Sequence, residues 1–110
     1  MSTTLPARLP AETATMEPIF LALVRSWKEE RGPASSTTQL AMCPSYQRII
    51  GLGPAVVPLL LRELERQPDH WFWALKAITG ADPVPEASRG KVREMARWWL
   101  DWGRAQGYQW

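Results

Sequence analysis

Apolar residues recur along most of this chain three and four positions apart, the spacing of an α-helix, in runs closed by glycine or proline. The first run sets Phe20, Leu23, Val24 and Trp27 at i, i+3, i+4 and i+7, one stripe of a helix from about Met16 to Arg31. Thr15 is placed as its N-cap, Pro18 in its first turn and Gly32 as its stop. In "SSTTQLAMCPSY", Ser36 and Gln39 have capping-box spacing, and Pro44 ends that helix after about two turns. A second short helix runs from about Pro44 to Ile50 and stops at Gly51. The next opens with Gly53 and Pro54, carries the stripe Val57, Leu60, Leu61 and Leu64, and is expected to bend at Pro58. Asp69 is placed to cap a fifth helix ending at Gly80. A loop around Pro83 and Pro85 precedes the last helix, about Arg89 to Arg104. Nothing alternates with period two for long enough to make a strand. The pattern predicts an all-α fold: a single compact bundle of about five to six helices over residues 16–110, behind a flexible arm, residues 1–15.

The stretch "HWFWALKAITG", residues 70–80, sets Trp71, Phe72 and Trp73 side by side. A helix turns about 100° per residue, so Trp71 and Trp73 point roughly 200° apart and cannot share one face. A helix apolar nearly all round is packed on several sides. The two tryptophans are therefore most simply read as entering two different helix contacts of the bundle; the alternative leaves one of them in water for a partner to find.

Residues 51–80, "GLGPAVVPLLLRELERQPDHWFWALKAITG", resemble one unit of a HEAT-like repeat. The matching positions are Gly53, Ala55, Val57, Pro58, Leu60, Leu64, Asp69, Trp71, Ala74, Leu75, Ile78 and Gly80. "YQRIIGLG", residues 46–53, looks like the worn end of a preceding unit. The resemblance implies an αα-hairpin with a shared core of Leu60, Leu64, Leu75 and Ile78, and a helical surface offered to proteins. Such arrays usually stack three or more units, so here the first and last helices are expected to act as caps.

Composition sharpens this picture in one respect. Seven tryptophans among 110 residues are more than one small core plainly needs, and tryptophan is enriched at binding hot spots. Thirteen basic and eleven acidic residues leave a net charge of +2, too little by itself to imply nucleic acid. The single cysteine, Cys43, excludes an intrachain disulfide and points to a reducing compartment. No run approaches the roughly 18–20 apolar residues that span a bilayer. "IFLALV", closely preceded by Glu17, is a poor signal-peptide core, so a cytoplasmic protein is expected.

Candidate chemistry is sparse. His70 is the only histidine and lies beside Asp69 at a helix start; it reads as a first-turn residue rather than a general base. Cys43, with no second cysteine, reads as a small hydrophobe before Pro44 rather than a nucleophile. "GLGP" at 51–54 lacks a preceding strand, and Pro54 removes an N–H that would hold a phosphate. Asp69, Asp82 and Glu86 lie in caps and loops rather than as paired acids. The expectation is a non-enzyme with no metal and no cofactor.

The last helix is more informative. On a wheel, Val92, Met95, Trp98, Trp99 and Trp102 fall within about 120°, and Arg93, Arg97 and Arg104 within about 40° on the opposite side. A core face and a solvated face, with Arg97 paired to Asp101, is the plain reading. The sharper one makes Trp98 an interface anchor, with Arg93, Arg97, Arg104, Tyr108 and Trp110 as further partner-binding residues. The expected function is a small protein–protein interaction module: an adaptor, or an inhibitor or antitoxin-like partner of another protein. The alternative is a nucleic-acid-binding helical domain using Arg48, Arg89 and the basic face of the last helix, Arg93, Arg97 and Arg104, against which Glu94 and Asp101 stand.

Overall fold

The computed structural model describes residues 9–33 and 35–110. Among them lie six α-helices and no strand: α1 (Ala11–Glu30), α2 (Thr37–Met42), α3 (Pro44–Gly51), α4 (Val57–Arg66), α5 (Phe72–Thr79) and α6 (Val92–Ala105). The fold is an all-α bundle. Two short 3-10 turns, Pro54–Val56 and Glu86–Ser88, lead towards α4 and α6.

Several boundaries follow from local chemistry. Ser36 Oγ accepts from Gln39 N at 3.2 Å while Gln39 Oε1 accepts from Ser36 N at 2.7 Å, a complete capping box. The residue before Pro44 is driven extended, with Cys43 at φ −57 and ψ 137, which separates α2 from α3. Gly80 closes α5 in the left-handed region at φ 72, a conformation that costs glycine nothing. Pro58 sits in the first turn of α4, and the chain passes from 3-10 to α geometry at Val57 rather than bending within one helix.

Two expectations need correction. Helix α1 begins at Ala11, not near Met16, because Thr13 is buried and its hydroxyl donates to Ala55 O at 2.6 Å, docking the early turn on the turn before α4. Residues 11–15 therefore belong to the bundle, and residues 1–8 of the expected arm lie outside the described residues. Asp69 caps no helix. Its carboxylate takes Arg31 Nη1 at 2.9 and 3.0 Å, and Arg31 lies 4.2 Å over the Trp27 ring, so the α4–α5 connection is fastened to the end of α1.

The core is aromatic at its centre. Trp71 lies 4.5 Å from Trp27 and stacks on Tyr46 at 5.7 Å, with Phe20 at 6.3 Å. Each buried polar tip has a partner: Trp27 Nε1 donates to Leu40 O at 2.9 Å, and Tyr46 Oη donates to His70 O at 2.9 Å and accepts from Ala74 N at 3.0 Å. Burial holds the Tyr46 phenol well above its ordinary value near 10.0. Around this centre, Leu60, Leu64 and Leu75 are fully buried and Ile78 partly so.

Candidate surface groove

Helix α6 presents its aromatic face to the core only in part: Trp99 is buried and Met95 and Trp102 pack against the core, but Trp98 is exposed. Its buried residues are Ala96, Trp99 and Gly103, an arc centred about 70° from the middle of the expected stripe. Close approach of α4 is the cause: a Cβ on Gly103 would lie 2.7 Å from Leu61 Cδ1. Small residues mark the contact, and Trp98 is turned out of it. Trp98 is 45% exposed, and its indole N–H donates to Ser88 Oγ at 3.3 Å.

Helix α5 divides its tryptophans in the same manner. Trp71, Ala74 and Leu75 are buried, whereas Trp73, Lys76 and Ala77, at i, i+3 and i+4, share an exposed face. Trp73 is 45% exposed, which corrects the expectation that both tryptophans enter helix contacts. It borders a groove of about 470 Å³ between α5, the start of α2, the 80–91 loop and α6. Apolar walls come from Phe72, Trp73 and Ala77 on one side and Met95 and Trp99 on the other. Its rim is charged: Asp82 Oδ2 takes Lys76 Nζ at 3.3 Å and Arg89 Nη2 at 3.0 Å, with Thr37 opposite as a neutral polar group. The hydrogen bond from Lys76, joined by the charges of Lys76 and Arg89, holds the Asp82 carboxyl below its ordinary value. Apolar walls with a few convergent polar groups are the usual make-up of a binding concavity.

Of the six expected partner-binding residues, five adjoin one another around Arg104 and Glu65, and Trp98 stands apart. Arg93, Arg97 and Arg104 line a second, smaller groove of about 350 Å³ against Leu64, Glu65 and Pro68. Its charge is mixed. Arg104 pairs with Glu65 at 2.7 Å and with Asp101 at 3.8 Å, so Asp101 meets Arg104 and not Arg97. Arg93 and Arg97 form no ion pair among the described residues. Trp110 donates to Glu65 at 3.0 Å beneath the Arg104 guanidinium, and the Tyr108 ring packs 5.7 Å from Trp102. Both are half-buried and pin the turn after α6. Trp98 lies roughly 120° round the helix from the three arginines and lines neither groove.

The sequence reading missed Trp73, Lys76, Asp82 and Arg89 as a group. The available signal was the α5 face itself, since a tryptophan that cannot share the Trp71 side sits one turn before a lysine. His70 is half-buried with its ring centroid 6.5 Å from that of Phe72 in an edge-on arrangement, and Cys43 donates to Gln39 O at 3.4 Å. No cluster of three or more metal-ligating side chains occurs among the described residues, nor does any helix long and apolar enough to cross a membrane. No family model, curated protein or solved structure matches the chain.

Proposed function

We propose that this chain is a small non-enzymatic protein–protein interaction module, an adaptor or an inhibitor or antitoxin-like partner, that engages another protein through the groove beside Trp73. The observation that carries this reading is a half-exposed tryptophan on the wall of an apolar concavity with a charged rim. Interfaces concentrate their energy in that composition, an aromatic centre that excludes water inside a polar border. The resemblance of the sequence of residues 51–80 to a HEAT-like unit supports the reading by analogy, since such units offer helical surfaces to proteins. The second reading, nucleic-acid binding, draws on Arg93 and Arg97, exposed one turn apart without ion-pair partners among the described residues. Glu65 and Asp101 beside them weigh against it.

The test captures partners from native extract on the wild-type chain and on Trp73→Ala in parallel, then rebuilds binding with purified components. The expected result is a protein that binds the wild type directly and is lost from Trp73→Ala. Capture of polynucleotide alone, falling steeply with added salt and with Arg93→Ala, overturns the proposal in favour of the second reading.

A further inference from the structure

The groove carries information about its occupant. Its charged lining residues are Lys76, Arg89 and Asp82, two cations and one carboxylate, which leaves one net positive charge beside an apolar trough. Both cations converge on a single oxygen, Oδ2 of Asp82, and their side chains are 59% and 57% exposed. An ammonium has three N–H donors and a guanidinium five, so most of their donors remain open to a second acceptor. The apolar wall beside them lowers the local dielectric, which strengthens a charge-assisted hydrogen bond formed there.

We infer that the occupant is a protein segment with a large aromatic or aliphatic side chain close in sequence to an Asp or Glu: the apolar group seats against Phe72, Trp73, Met95 and Trp99, and the carboxylate bridges Lys76 and Arg89. A volume of about 470 Å³ accommodates such a side chain with its flanking backbone. A basic segment meets repulsion at the rim, and a neutral one leaves the donors to water. This inference rests on the protein-binding reading above and adds the chemistry of the bound segment.

A competing account makes the Lys76–Asp82–Arg89 trio a clasp that only fastens the 80–91 loop to α5. Asp82→Asn separates the two. As a clasp, its loss loosens the wall and weakens binding. As a partly filled carboxylate receptor, its loss frees both cations and tightens an acidic segment about two- to fivefold, the range of exposed ion pairs.

The experiment selects a random twelve-residue peptide library on the full chain, discards peptides that also bind Trp73→Ala, and measures the survivors against wild type, Lys76→Ala/Arg89→Ala and Asp82→Asn. Thermal melting verifies that each variant is folded. Expected are survivors that pair a bulky apolar residue with Asp or Glu, bind more weakly as salt rises, bind the double variant less and bind Asp82→Asn more tightly. Trp73-dependent peptides without acidic residues, or weaker binding to Asp82→Asn, overturn the inference and leave the protein-binding reading standing. No Trp73-dependent peptide at all overturns both. Self-association of the free chain that Trp73→Ala abolishes assigns the groove to a second copy and also overturns the inference.

Discussion

Leu61 and Gly103 meet where α4 packs on α6, so closely that a Cβ on Gly103 would lie 2.7 Å from Leu61 Cδ1 and 3.2 Å from the Trp110 ring. Leu61 is fully buried and has little room to yield. In an open helix, alanine gains about 1 kcal/mol over glycine. Overpacking a core costs about 1–3 kcal/mol, which outweighs that gain. Gly103→Ala is expected to lower stability by about 1 kcal/mol in urea unfolding, and a stabilised variant contradicts the close contact.

That contact also shows what a one-dimensional pattern can carry. The capping box at Ser36 and Gln39, the glycine stop at Gly80 and the buried stripe Phe20, Leu23, Val24 and Trp27 were legible, because each depends on residues within a turn or two of one another. The face of α6 was legible only in part, through Met95, Trp99 and Trp102. Aromatics dominate its wheel, yet the neighbour's approach selects Ala96 and Gly103, and no local property of α6 encodes where α4 lies. The start of α1 and the partner of Asp69 escaped for the same reason, through Thr13 with Ala55 and Arg31 with Asp69. The groove was half legible: Trp71 and Trp73 had to diverge, but the covered one could be told only from the position of Tyr46 and Trp27.

The two tryptophans of α5 predict opposite responses. Trp71→Ala removes the stacked centre of the aromatic core and is expected to cost about 3–5 kcal/mol. Trp73→Ala, on the groove wall, is expected to cost less than about 1 kcal/mol. Equal losses in paired thermal melts contradict the division of the two side chains.

Trp98 offers a second check on α6. Half-exposed and outside the α4–α6 contact, it is expected to lose less than about 1 kcal/mol as Trp98→Ala. A loss in the range of a core tryptophan, about 3–5 kcal/mol, contradicts the orientation of the helix.

Tyr46 sets a pH dependence. Its phenol is raised in the fold and ordinary, near 10.0, in the unfolded chain, so its stabilising contribution is complete below that value and declines above it. Tyr46→Phe leaves the Ala74 N–H without its acceptor and is expected to cost about 1–3 kcal/mol at neutral pH. Above pH 10 the gap between wild type and variant narrows by about 1.4 kcal/mol per pH unit, read from urea midpoints at stepped pH. A gap constant to pH 11 contradicts the burial of that hydroxyl.

The central claim is that the groove beside Trp73 is the surface a partner protein uses. The most direct measurement is calorimetric affinity of the purified partner for the wild-type chain, Trp73→Ala and Arg93→Ala/Arg97→Ala, with a thermal melt of each. The account predicts that Trp73→Ala binds about thirtyfold more weakly or worse, equivalent to about 2 kcal/mol, with its melting temperature nearly unchanged and the arginine variant close to wild type. Full affinity in Trp73→Ala, with the loss appearing in the arginine variant instead, contradicts it.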